Sequence, residues 1–317
     1  MKINVLYVDP YISTQREIDY PYYGGLFHEL KKICNVELTN KFFDDFSKVE
    51  SDSKINYDIV IFGLSYFEKF QFFKKIKNLD LPSIVHLFKP QNNLDEKLLF
   101  CKKNKINQIV TPLPMYNEIE ERTGIPCTLL PYGYDPTIFK SRLRIKFYDI
   151  GFSGMLHQNI HYPKDAFDVI DLRKSLGEIL KNYKEIRLLW KGSDTLSQGR
   201  IKSVDSYAKS INTCKVWLAT PAAYQDITPR YFEIMGSKTL LMCSRIPEAY
   251  KDLLVHQSNC IEFKNDLSDF EKKLNNILSK NELRKTIIKK AIKDAQELHT
   301  WKKRALNFKS IIKKILN

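Results

Sequence analysis

A chain of 317 residues is long enough for two domains of about 150, and 43% hydrophobic with 28% charged residues suits packed cores rather than global disorder. No run of ~18 apolar residues occurs, and the opening MKINVLYVD passes from one lysine into an alternating strand instead of a signal-peptide core, so a cytoplasmic location is the expectation. The formal net charge of +14 attracts anions, but no helix-turn-helix, zinc or RNA-binding pattern accompanies it, so nucleic acid is not the expected partner.

In chain order, INVLYVD reads as a strand, GGLFHELKKI as a helix, NVELT and YDIVIFGL as strands, and FQFFKKIKNL as a helix. PSIVHLF is strand-like, NLDEKLLFCKKNK helical, QIVTP a strand, MYNEIEERTG a helix closed by Gly124, and CTLLPYG a strand. Apolar strands alternating with helices predict a parallel sheet covered on both faces. The second half repeats the pattern. YDIGFSG, IRLLWKG, KVWLATP, TLLMCS and CIEF are the strands; helices are predicted over DAFDVIDLRKSLGEILKN, VDSYAKSI, TPRYFEIMG, PEAYKDLLV and LSDFEKKLNNILSK.

The expectation is an α/β chain of two doubly wound, Rossmann-like domains, 1–136 and 137–297, joined near Tyr132–Lys140, with a last helical segment over 298–317. That segment carries an apolar stripe of Trp301, Ala305, Phe308, Ile312 and Ile315 opposite a basic face of Lys302, Lys303, Arg304, Lys309, Lys313 and Lys314. Docking of the stripe on the domains is the commoner use; peripheral contact with an anionic membrane is the other. The six cysteines form no CxxC pair and have no paired histidines nearby, which predicts reduced, mostly buried thiols.

Ligands of doubly wound sheets bind beyond the carboxyl ends of the strands. Four such places stand out. Tyr23, Gly24 and Gly25 open the first helix, Ser153 and Gly154 end one strand, Lys191 and Gly192 end another, and Thr228, Pro229 and Arg230 open a short helix. Each glycine is either a plain tight turn or a place where backbone approaches a ligand. Thr228 is the predicted N-cap and Pro229 the first helical residue. A cation in a first turn costs a few tenths of a kcal/mol, whereas a charge-assisted bond from Arg230 to a phosphate contributes ~1.5–3 kcal/mol. Glu233, one turn on, could accept from two vicinal hydroxyls or pair with Arg230, and Arg230 could instead pair with Asp226.

LPYGYDPTIFK, ITPRYFEIMGSKTLLMCS and HTWKKRALNF together resemble the interdomain stretch, donor-site helix and late tryptophan segment of GT-B glycosyltransferases of group 1 and their CgeB-like relatives. The resemblance implies two facing Rossmann-like domains, an acceptor on the first, a nucleotide sugar on the second, and a terminal helix crossing back to the first domain. It also implies no metal and no cofactor beyond the donor substrate; the sequence contains no DxD triplet.

Residue by residue, Glu233 matches the ribose-binding glutamate, and Arg230 with the Thr228 region matches the diphosphate contacts. Gly154 matches the glycine after the first donor-domain strand, Arg173 more loosely a phosphate-binding arginine, and His86 the active-site histidine, a base or sugar-positioning group. Lys191 could add charge beside the leaving diphosphate. Many members carry a glutamate eight residues before the ribose glutamate; here Gln225 stands there, beside Asp226, which could substitute. The implied activity is sugar transfer from a nucleoside-diphosphate sugar to a glycan, lipid-linked or protein-linked hydroxyl. A nucleotide-sugar epimerase of the same fold and a catalytically inactive relative are the alternatives.

Overall fold

The computed structural model describes residues 2–9, 21–41, 43–53, 55–64, 74–87, 93–142, 145–156, 169–193, 203–222 and 224–317. They divide into two compact units, Met1–Gly133 with Trp301–Asn317, and Tyr134–Thr300.

The first unit holds six parallel strands: β1 (Asn4–Val8), β2 (Asn35–Thr39), β3 (Ile59–Leu64), β4 (Ser83–Leu87), β5 (Gln108–Thr111) and β6 (Cys127–Leu129), in the order β2-β1-β3-β4-β5-β6. The topological switch point lies between β1 and β3. Alternation along the strands feeds two cores. Tyr7, Ile59, Ile61, Ile84 and Val110 pack on helix α1 (Pro21–Ile33) and on the C-terminal helix (Trp301–Leu316). Leu6, Val60, Phe62, Val85 and Ile109 face the other side, with helices α2 (Phe46–Asp52), α3 (Leu94–Lys103) and α4 (Tyr116–Thr123) contributing Phe46, Leu98 and Ile119.

The stripe of the C-terminal helix is therefore spent on this core. Trp301, Ala305, Phe308 and Ile312 are buried and Ile315 packs beside them, which removes the apolar face that membrane contact would need. Arg304, expected on the solvated basic face, is buried too; its Nε donates to the Tyr132 carbonyl at 3.1 Å, and burial lowers its pKa to about 10. Among the described residues no helix is long and apolar enough to cross a membrane.

Two local expectations fail here for traceable reasons. The predicted helix FQFFKKIKNL lies partly outside the described residues, and 74–80 are not helical. Their backbone is bonded elsewhere: Lys77 N donates to Asp44 O, Phe46 N to Lys77 O, and Ile76 N to the Asn104 side chain. Helix α2 was not anticipated; Asp45 caps it by accepting from Ser47 N.

The second unit contains β7 (Tyr148–Met155), β8 (Leu188–Ser193), β9 (Cys214–Ala219), β10 (Leu240–Ser244) and β11 (Ile261–Phe263), all parallel, ordered β11-β10-β9-β7-β8. Its switch point lies between β7 and β9. Helices α5 (Val169–Asn182), α6 (Val204–Asn212), α7 (Arg230–Gly236), α8 (Phe270–Ser279) and α9 (Asn281–Leu298) complete it. Two doubly wound parallel sheets are what the alternating apolar strands predict. PEAYKDLLV forms only a 3-10 turn over Glu248–Tyr250, because the Asn259 side chain takes Val255 N and donates to Leu253 O, groups a longer helix would have paired internally. All six cysteines are free and buried.

Candidate functional site

The second unit's switch point is built from the ends of β7 and β9. Gly154 and Gly192 are register partners near the ends of β7 and β8, and Ser153 pairs with Lys191. A Cβ built on Gly154 would lie 2.8 Å from the Phe152 ring and 3.5 Å from Arg230 Nη1, so the arginine fork sits at the end of this strand. Gly192 serves packing: its Cβ would lie 2.4 Å from Leu156 and 2.6 Å from Trp190 Nε1, and Trp190 stacks on Phe152 at 4.4 Å. Lys191 is exposed.

Arg173, from α5, spans the crevice. Its Nε donates to Thr220 Oγ1 at 2.8 Å and its Nη1 to the Met155 carbonyl at 3.0 Å, joining the residue after β9 to the last residue of β7. The guanidinium is buried and much of its donor capacity holds the strand ends together. Arg230 is the first residue of α7, and its Nε donates to the Tyr207 hydroxyl at 2.9 Å. Burial raises the Tyr231 hydroxyl's pKa well above its ordinary value, and the Arg173 and Arg230 charges oppose that rise.

Helix α7 is short and enclosed. It is buried on every side, Tyr231, Phe232, Ile234 and Met235 included, as befits a helix covered all round. Thr228 is not its N-cap. Pro229, at φ −48° and ψ −29°, is already helical and occupies that position, and Thr228 contributes its carbonyl, which accepts from Tyr231 N at 3.2 Å. Glu233 is 9% exposed, and desolvation raises its carboxyl to about 8 despite the opposing Arg230 charge. At neutral pH Glu233 is therefore mostly protonated, able to donate as well as accept.

The loop from β9 to α7 is closed by Gln225 N donating to Ala222 O and Ala222 N to Asp226 O. Gln225 is exposed, with φ 58°, in the left-handed region. Burial raises the Tyr250 hydroxyl's pKa, and the charge of Asp226 adds to that rise.

In the first unit, His86 sits near the end of β4, half-buried, its Nδ1 3.2 Å from the Tyr7 hydroxyl and its ring 5.7 Å from Phe308. Burial lowers it to about 4, so the ring is neutral at pH 7. Gly24 and Gly25 do not form a ligand-facing turn. Helix α1 begins at Pro21, both are buried inside it, and a Cβ on Gly25 would lie 2.4 Å from the Trp301 indole. Gly25 thus makes room for that indole.

Two residues escaped the sequence reading. Asp9, directly after β1 at this unit's switch point, is fully buried, and Gly63 makes room for it: a Cβ there would lie 2.2 Å from the carboxylate. The glycine inside the apolar run IVIFGL was the available signal. Tyr207 had none, being 23 residues from the arginine it holds. Among the described residues no group of three or more His, Cys, Asp or Glu could hold a metal ion.

Comparison with known proteins places this geometry. The fold is that of GT-B glycosyltransferases. Sucrose-phosphate synthase from Thermosynechococcus elongatus aligns at TM-score 0.64 and 11% identity, covering 99% of each chain. The Anabaena protein HepE, solved in complex with UDP, aligns at 0.58 and 13%, covering 99% of this chain and 100% of that one. An alpha1,3-fucosyltransferase aligns at 0.59 and 10%, covering 99% and 90%. Residues 173–310, from Arg173 into the C-terminal helix, match the family described as glycosyl transferase-like. The sequence similarity to that family is thus confined to this stretch, whereas the fold similarity extends over the whole chain. No curated protein matches the sequence.

Proposed function

We propose that the protein transfers a sugar from a nucleoside-diphosphate sugar to an acceptor hydroxyl on a glycan, a lipid-linked or a protein-linked acceptor, without a metal. The carrying observation is the placement of Arg230 at Gly154, with Arg173 tying Met155 to Thr220 across the same switch point. In the transfer, the bond from the sugar's anomeric carbon to the diphosphate breaks with its electron pair leaving on the diphosphate, a bond to the acceptor oxygen forms, and the acceptor proton is released to water. The largest electrostatic demand is the negative charge on the departing diphosphate, and two fixed guanidinium groups meet it without reorganising. Glu233, one turn behind Arg230, is assigned to the ribose hydroxyls. HepE has been solved with UDP and with UDP-glucose, which makes uridine-based donors the first to try. The buried free thiols suit a reducing compartment, in support of the cytoplasmic expectation.

A thermal-shift and calorimetric screen with UDP, GDP, ADP, CDP and dTDP and their sugars tests the reading. Arg230→Ala should weaken the preferred nucleoside diphosphate roughly 10- to 100-fold, the loss of a hydrogen bond to a charged group, and turnover should survive chelation by EDTA. Unchanged affinity in Arg230→Ala would sink the assignment. Donor turnover without an acceptor would move the reading to an epimerase, and binding without turnover to an inactive relative.

A further inference from the structure

The orientation of Arg230 is set from a different helix. From the geometry we infer that Tyr207 is a positioning residue, which uses up Arg230 Nε and so turns the Nη1–Nη2 edge of the guanidinium toward the end of β7, where a diphosphate would be gripped. The inference rests on the proposed diphosphate contact of Arg230.

An arginine side chain has four rotatable bonds, and a single-residue foothold at the start of a seven-residue helix does not decide where its planar fork points. The bond from Nε to the Tyr207 hydroxyl, 2.9 Å, does. Nε occupies the inner edge of the guanidinium, so an acceptor bonded there sets the direction in which the bidentate Nη1–Nη2 edge points. One of them, Nη1, is the atom lying 3.5 Å from the place a Gly154 Cβ would take.

The phenol can fix the arginine because it is fixed itself. Ser203 caps α6 by accepting from Ser206 N, which places Tyr207 one turn into the helix. Its ring meets Phe139 edge-on at 5.9 Å and the fully buried Trp217 edge-on at 6.0 Å, one from the segment before β7 and one from β9. Asn212, at the last turn of α6, accepts from Arg142 N and donates to Lys140 O, fastening the helix to the same segment. The hydroxyl is thus held by aromatic contacts that do not depend on it. That makes Tyr207→Phe a clean probe: it removes one oxygen and keeps both ring contacts.

The experiment is a double-mutant cycle on the whole chain. Wild type, Tyr207→Phe, Arg230→Ala and the double variant are titrated by calorimetry with UDP, GDP, ADP, CDP and dTDP, and then with the nucleoside of whichever diphosphate binds wild type most tightly. Tyr207→Phe should weaken the diphosphate about 3- to 10-fold, the scale of one hydrogen bond. It should leave nucleoside affinity unchanged, lower the melting temperature by no more than a few degrees, and have no further effect on diphosphate binding when Arg230 is already alanine. Should Arg230→Ala lose the diphosphate while Tyr207→Phe binds it like wild type, the positioning role is overturned and the proposed site stands. An equal loss for nucleoside and diphosphate, or an undiminished loss in the Arg230→Ala background, also overturns it, since a general packing defect acts that way. If Arg230→Ala itself binds like wild type, or none of the five nucleotides binds wild type, the site and the positioning role fall together.

Discussion

Glu233 gives the sharpest test of how this site is built. Its carboxyl is raised by desolvation from the ordinary value of 4.5 to about 8, so the folded protein prefers it protonated. For a group whose folded pKa lies above its unfolded value, the stabilising contribution is complete below the unfolded pKa and is lost as pH rises through the folded one. Between pH 4.5 and 8 the cost of an ionised Glu233 accumulates at up to 1.36 kcal/mol per pH unit, approaching about 5 kcal/mol above pH 8. Glu233→Gln keeps the size and hydrogen-bonding shape but cannot ionise. The difference in stability between variant and wild type, from denaturant melts at pH 5, 6, 7, 8 and 9, should therefore swing toward the variant across this range and level off above about pH 8. Parallel curves from pH 5 to 9, with the variant offset by a constant amount, would refute the buried-acid reasoning.

Two further substitutions test local geometry. Gly25→Ala puts a Cβ 2.4 Å from the Trp301 indole, an overlap that helix α1 or the C-terminal helix must relieve by shifting; a loss of about 1–3 kcal/mol in a urea melt is expected, and an unchanged midpoint would mean the indole has room to move. Gln225, exposed at φ 58°, holds a conformation that glycine adopts without cost. Gln225→Gly should keep or raise the melting temperature and leave nucleoside-diphosphate affinity within about twofold, whereas a large affinity loss would give the Gln225 amide a direct part in binding.

The sheets were legible in the sequence because burial on both faces demands unbroken apolar strands, and Ile59, Val60 and Ile61 or Leu240, Leu241 and Met242 carry that pattern without ambiguity. The failures fall where backbone groups found partners outside their own segment. FQFFKKIKNL has a helical composition, yet Ile76 and Lys77 bond to Asn104 and Asp44, contacts from distant parts of the chain. PEAYKDLLV is cut short in the same way by Asn259. Local propensity is a weak prior, and a side-chain amide placed by the fold overrides it.

Glycine shows why the candidate site was harder to read than the fold. Gly24, Gly25, Gly154 and Gly192 looked equivalent in sequence, each opening or closing an element where a ligand could approach. The structure separates three of them by what presses on the missing Cβ: the Trp301 indole at Gly25, Leu156 and Trp190 at Gly192, and at Gly154 both the Phe152 ring and the guanidinium of Arg230. Of these three, Gly154 is the one whose missing Cβ borders a cation. A glycine in a linear sequence reports that space is needed without reporting what fills it, and that second piece of information is long-range. The same limit hid Tyr207, which has the composition of any half-buried aromatic and gains its meaning solely from the arginine 23 residues later. Residues that touch a ligand leave local signatures such as a short polar run before a helix; residues that aim them leave none, because their position is a property of the packed sheet and not of the segment that carries them.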